Sequence, residues 1–255
     1  MEENTGVADK LFSVLEYLAL SQEPSGPTEL AGALNMSKAT VYRLLKVMTA
    51  RGYAEKNEKG LYTAGPKLIE IASYQINNLE LQVIAKPYLS MLYSELNLAA
   101  HLGALDGTDI VYIAKIDAHP TGPNFAQVGY RSPAYCSSIG KCLLASLSGD
   151  EMDEILYSCK FHKYTERTIT NIYQLKEHLR LVRSQGWAMD NEEYIPGFRC
   201  VGAPIYDFRG DVQACLSVSG NTQQITDERL PELVEKIKDT AAVISRKMGY
   251  APPAS

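Results

Sequence analysis

The chain has 255 residues, 45% of them apolar and 22% charged, with a formal net charge of -5. This length supports one large or two ordinary domains, and the composition is that of a soluble globular protein. No apolar run approaches the roughly 18 residues of a membrane span, and the opening MEENTGVADKLF lacks the basic-then-apolar layout of a secretion signal, so a cytoplasmic protein with no membrane partner is expected.

Along the chain, ADKLFSVLEYLAL places Leu11, Val14, Leu15, Leu18 and Ala19 on one helical face. SGPTELAGALN predicts a second helix with Thr28 as N-cap and Leu30, Ala31 and Leu34 turned inward. After a turn at Asn35-Met36, Ser37 is placed to cap a third helix that buries Val41, Leu44, Leu45 and Met48, spaced i, i+3, i+4, i+7. YAEKNEKGLYTAG reads as two short strands around Asn57-Glu58-Lys59-Gly60. Helix, helix, turn, helix, hairpin is the order of a winged helix-turn-helix.

The charge supports that reading. Residues 1–36 carry Lys10 against six acids, whereas residues 37–60 carry Lys38, Arg43, Lys46, Arg51, Lys56 and Lys59 against Glu55 and Glu58. A local cationic patch matters more to a polyanion than the total charge. With the apolar residues of the third helix inward, Lys38, Ala39, Tyr42, Arg43 and Lys46 project toward a major groove. Ser37 and Thr40 at its start suit phosphate contacts, and Lys56 and Lys59 flank the tip of a wing. The expected partner is double-stranded DNA, bound with a steep salt dependence if about six cations meet phosphates.

PKLIEIASYQINN, with Leu68, Ile69, Ala72 and Ile76 as its apolar stripe, predicts a linker helix. The expected domains are therefore residues 1–65, the linker 66–80 and a larger domain 81–255. In the latter, LQVIAKPYLSMLYSELN is an amphipathic helix and AAHLGALDGTDIVYIAKID a hairpin turning at Asp106-Gly107. GKCLLASL and TNIYQLKEHLRLVRSQGW are helical, the second capped by Thr170 and closed by Gly186. CVGAPIYDFRGDVQACLSVSG is a second hairpin turning at Asp207 to Gly210, and a last helix is expected from Thr226 to Met248. Hairpins joined through helices give an α+β domain around an antiparallel sheet.

Cys136, Cys142, Cys159, Cys200 and Cys215 are odd in number and form no C-x-x-C pair, so they read as reduced, mostly buried residues. His101, His119, His162 and His178 are dispersed with no H-x-x-x-H spacing, and no metal or cofactor is expected.

Three stretches, LNMSKATVYRLLKVMTARGYAEK, YRSPAYCSSIGKCLLA and DNEEYIPGFRCVGAPIYDFRGDVQACLSVSG, resemble the IclR family of bacterial transcriptional regulators. The resemblance implies a winged helix-turn-helix joined by a linker helix to a GAF-like effector domain. It also implies a homodimer or a dimer of dimers on operator DNA, and a small metabolite that changes operator occupancy; a repressor without enzymatic activity is expected. By position it carries over an effector pocket of Ser138 and Ile139, Asp190, Cys200, Ser217 and Ser219. The YCSSIGK version looks like the branch responding to sugar-derived acids such as 2-keto-3-deoxygluconate, with an aromatic acid and an activator as the alternative.

The residues give that pocket a chemical rationale. Ser217 and Ser219, two apart on a strand, face the same side. The helix beginning near Ile139 offers N–H groups suited to a carboxylate. Cys200 is a weak neutral donor, and Asp190 accepts from a ligand hydroxyl or organises the loop before Gly197. Together these suit a small hydroxy- or keto-acid. Plainer readings stand beside them: serines bonded to backbone, Cys200 as core, Asp190 as a turn residue, and Glu192 and Glu193 as a polar loop. A GAF-like thiol enzyme and a protein-binding winged helix remain as further alternatives.

Overall fold

The computed structural model describes residues 6–21, 23–71, 80–117 and 127–251. The chain divides into two units, Met1–Asn78 and Leu79–Ser255. A helix begins at Lys67 and runs to Ile71; the rest of the expected linker, residues 72–79, lies outside the described residues, as does His119.

In the first unit, α1 (Val7–Leu20), α2 (Pro27–Ala33) and α3 (Lys38–Ala50) precede a hairpin of β1 (Ala54–Lys56) and β2 (Tyr62–Ala64). Val14, Leu18, Leu30, Val41, Leu44, Leu45 and Met48 meet in one core with Ala54 and Tyr62. The second helix starts earlier than Thr28: Gly26 is its N-cap and Pro27 its first residue. Proline there gives up an N–H that no helix bond would use, and Gly26 N donates instead to the Glu29 carboxylate at 3.3 Å. Asn35, at φ 49°, turns the chain into α3. Ser37 caps that helix, its hydroxyl accepting from Thr40 N at 3.2 Å. The hairpin is held to the body by a bridge between Ser25 and Tyr62.

The second unit is a six-stranded antiparallel sheet in the order β5-β4-β3-β8-β7-β6. Its strands are β3 (Ala99–Asp106), β4 (Asp109–Ile116), β5 (Arg131–Pro133), β6 (Ala188–Asn191), β7 (Phe198–Tyr206) and β8 (Val212–Asn221). Its helices are α4 (Glu80–Leu96), α5 (Ser138–Ser146), α6 (Gly149–Ser158), α7 (Ile172–Gln185) and α8 (Leu230–Lys247). β5, β6 and α6 are additions to the sequence-derived order. The cap of α7 is Asn171 rather than Thr170, its Oδ1 accepting from Tyr173 N at 2.9 Å and Gln174 N at 3.1 Å. Gly186, at φ 74°, ends that helix as its spacing predicts. The last helix begins at Leu230, not Thr226, because Thr226 to Arg229 form a capping turn in which the Thr226 hydroxyl accepts from Arg229 N at 3.3 Å.

Strand alternation gives the sheet two different faces. Ala100, Leu102, Val201, Ala203, Ile205, Leu216 and Val218 point to one side and pack against the leucines of α4 and the Leu233, Ile237 and Ile244 stripe of α8. The intervening residues point to α5, α6 and α7, where Ile139, Leu143, Leu144, Leu156, Leu175 and Leu179 form a second core. On this side α5 approaches very closely. A Cβ on Gly103 would stand 3.0 Å from the Ile139 side chain, and one on Gly140 would stand 2.2 Å from the Ala134 carbonyl oxygen. The first of those contacts is with a side chain, but the second is with backbone and cannot be relieved by a rotamer change.

Gly140→Ala therefore displaces the start of α5 and is expected to destabilise the second unit by about 3 kcal/mol, the upper range for overpacking. Urea unfolding followed through Trp187, the sole tryptophan, measures this directly because Trp187 packs against the sheet core of that unit.

Candidate functional site

Two sites are built, one in each unit. On α3, burial of Val41, Leu44, Leu45 and Met48 turns the remaining face to solvent. Ser37, Lys38, Ala39, Tyr42, Arg43 and Lys46 are all exposed, and Lys56 and Lys59 are exposed on the hairpin. Thr40 differs from the sequence reading: it is half-buried, and its hydroxyl is engaged with Ser37 Oγ at 2.9 Å, so it serves the cap. Among the described residues none of Lys38, Arg43, Lys46, Lys56 and Lys59 has an acidic partner, and the first turn of α3 holds no acid. Lys56 leans over the Tyr62 ring at 5.7 Å, and Asn57 folds the tip by accepting from Lys59 N and Leu61 N at 3.0 Å each. The result is a solvated cationic face on an otherwise acidic chain, with its charges free to meet phosphate.

In the second unit Ser138, Ile139, Asp190, Cys200, Ser217 and Ser219 line one cavity, which encloses about 480 Å³ including the open space at its mouth. Sheet register explains why. Asp190 pairs with Cys200 and Cys200 with Ser219, so β6, β7 and β8 each place one polar residue in a single row. Two residues on, Ser217 pairs with His101 of β3. The start of α5 covers this row. Ser137 caps the helix, its hydroxyl accepting from Gly140 N at 3.0 Å and its carbonyl from Lys141 N at 2.9 Å. That leaves the N–H groups of Ser138 and Ile139 at the open positive end of the helix dipole.

Sequence reasoning missed part of the lining. His101, Tyr112, Ser137, Tyr194, Ile195 and Phe198 also face the cavity. His101 sits edge-on to the Tyr112 ring at 5.4 Å, with its Nδ1 3.5 Å from Ser219 Oγ. Burial, and then nearby Lys115, push its pKa down to about 3 against the opposing pull of Asp117, so it is a neutral imidazole. No signal in HLGAL separates His101 from a core residue; only its register opposite Ser217 does. Tyr135, by contrast, is spent on structure, exchanging bonds with the His162 backbone at 2.8 and 2.7 Å.

Behind the cavity lies a buried ion pair. Lys141 of α5 is fully buried and bonds Glu193, which follows β6 and also accepts from Asn191 N at 3.3 Å. Glu193, read from sequence as part of a polar loop, thus anchors the cavity wall. Asp190 combines two of the readings open to it: it lines the cavity, and its Oδ1 accepts from Glu193 N at 2.7 Å. Burial first, then the Glu193 charge, push its pKa up to about 7, while Lys141 and the backbone N–H groups of Glu193 and Tyr194 pull it down. The Cys200, Cys136 and Cys215 thiols are all pushed up, chiefly by burial, which keeps them protonated and unreactive. Among the described residues no cluster of side chains has metal-binding geometry, and no helix is long and apolar enough to cross a membrane.

Comparison with known proteins identifies the family of both units. The family model for the IclR helix-turn-helix domain matches residues 7–58, and that for the bacterial transcriptional regulator IclR C-terminal region matches residues 74–246. The chain is 40% identical over 242 residues to the HTH-type transcriptional regulator KdgR of Escherichia coli K12, covering 94% of this chain and 92% of that protein. It is 28% identical to the HTH-type transcriptional repressor AllR of Salmonella typhimurium, covering 95% of this chain and 89% of that protein. The crystal structure of the Thermotoga maritima IclR protein superposes with a TM-score of 0.83 at 32% identity, covering 95% of this chain and 98% of that one. These matches, covering both units and nearly the whole length, make this chain a member of the IclR family of bacterial transcriptional regulators.

Proposed function

We propose that this DNA-binding regulator reads its operator through Ser37, Lys38, Ala39, Tyr42, Arg43 and Lys46 of α3 and the wing lysines Lys56 and Lys59, and that a small carboxylic acid in the second-unit cavity controls its occupancy. The observation that carries the reading is the row of polar residues from three adjacent strands beneath the start of α5. A helix N-terminus binds a carboxylate without an arginine, and serine, histidine and acid side chains bind hydroxyl or keto oxygens. A sugar-derived keto acid uses this whole set. An aromatic acid is the second reading, favoured by the Tyr112, Tyr194 and Phe198 rings at the same wall.

The working protein is a cytoplasmic repressor that binds DNA as a homodimer or a dimer of dimers, since duplex sites are read by symmetric partners. Regulation rather than catalysis is the reading favoured here, and the Cys200 and Cys136 thiols, pushed up by burial, are poor nucleophiles for the thiol-enzyme alternative. Control requires the ligand to favour one arrangement of the chain, and a tenfold change in operator affinity needs about 1.4 kcal/mol of that preference. One or two hydrogen bonds made in only one state are enough.

Arg43→Ala is expected to weaken operator binding by about 1–3 kcal/mol, and Lys59→Ala to lower the salt slope by about one without changing sequence preference. Fluorescence anisotropy against operator and random duplexes at several salt concentrations reads both. Unaltered operator affinity in Arg43→Ala would remove that residue from the groove. Ser217→Ala and Cys200→Ala are expected to lower acid affinity by about 1 kcal/mol each while leaving ligand-free DNA binding intact. Calorimetric titration with sugar acids and aromatic acids measures the first effect, and anisotropy the second.

A further inference from the structure

The charge count around the cavity is unusual for a site that receives an anion. Asp190 lines it, 5% exposed, and no lysine or arginine stands among the lining residues. The cation that acts on Asp190, Lys141, is already bonded to Glu193 and lies outside the lining. His101, the remaining basic group at the wall, is neutral. The other groups facing Asp190 are the thiols of Cys200 on β7 and Cys136 before α5, and the phenols of Tyr112 on β4 and Tyr194 in the loop; all four are uncharged because burial raises them. The Lys115–Asp117 pair beside His101 adds no net charge, so an entering carboxylate meets two buried acids against one buried lysine, in surroundings that screen charge poorly.

We propose that Asp190 occupies the ligand-bound cavity as the neutral acid, its O–H donating to an oxygen of the bound anion, so that each carboxylate bound brings one proton with it from solvent. Asp190 then works with the α5 N-terminus to admit an anion without a basic side chain: it withdraws its own charge and turns from acceptor to donor. Its Oδ1 continues to accept from Glu193 N at 2.7 Å, the Tyr194 N–H and the Cys200 side chain also bond the carboxyl, and the proton sits on the second oxygen. Its position near neutrality in the free protein means that little free energy is needed to protonate it when the anion arrives.

The inference rests on the effector reading, and its test separates the two. Calorimetry of the full chain with 2-keto-3-deoxygluconate, and with 4-hydroxybenzoate as a second acid, at about pH 8 in buffers of different ionisation heat counts the protons taken up. Wild type is expected to take up close to one proton, with affinity falling by up to about tenfold per pH unit above neutrality. Asp190→Asn, whose amide donates without titrating, is expected to bind the acid with no proton uptake and with a flat pH profile. Infrared difference spectra of the free protein between about pH 5.5 and 8.5 are expected to show a protonated-carboxyl band in wild type that Asp190→Asn lacks. Binding of either acid to wild type without proton uptake overturns this inference and leaves the effector reading standing. Failure of both acids to bind at either end of the pH range sinks the effector reading for these acids, and this inference with it.

Discussion

The seating of α5 against the sheet sets the geometry of the whole second unit. It is possible because Gly140 lies where any side chain would strike the Ala134 carbonyl, and because Gly103 opens the sheet surface beneath Ile139. The approach brings the helix N-terminus within reach of strand side chains and buries Lys141 completely, which in turn demands Glu193 as its partner. Removing one member of such a pair strands the other charge in a poorly solvating interior, so helix and loop are bound to each other's position. The cavity is the space this arrangement leaves over the row of Asp190, Cys200 and Ser219.

The two units handle charge in opposite ways. In the first, the apolar residues of α3 face inward and its cations remain in water, unpaired by any described acid. Their value lies in having no internal partner. In the second, ionisable groups are drawn inside, where burial governs their state: His101 and the thiols are kept neutral, and Asp190 is balanced between its two forms. An exposed cationic face suits a large, highly charged partner, whereas a nearly neutral interior suits discrimination by hydrogen bonds.

Much of this was legible in the sequence where the signal is local. The spacing of Val41, Leu44, Leu45 and Met48 defines α3 and hence which cations are exposed. Gly186 marks a helix end, and the parity of Ser217 and Ser219 gives their shared side. Errors arose where neighbours compete for one role. Pro27 moves the helix start ahead of Thr28, and Asn171, whose amide oxygen accepts from both Tyr173 N and Gln174 N, takes the cap from Thr170. Short strands such as β5 and β6 are three and four residues long, too brief to show alternation. His101, Tyr112 and the Lys141–Glu193 pair were invisible for a different reason. They join the site through strand register and long-range packing, which no window along the chain contains.

The polar row across β6, β7 and β8 has a consequence for how such a site changes. Neighbouring strands lie about 4.8 Å apart, so the three side chains stand at fixed intervals, like teeth on a comb whose spine is the hydrogen-bonded backbone. Exchanging one tooth alters the chemistry at one point along a guest molecule and leaves the spacing of the others untouched. A single fold can thus be retuned from one metabolite to another, position by position, without rebuilding its frame.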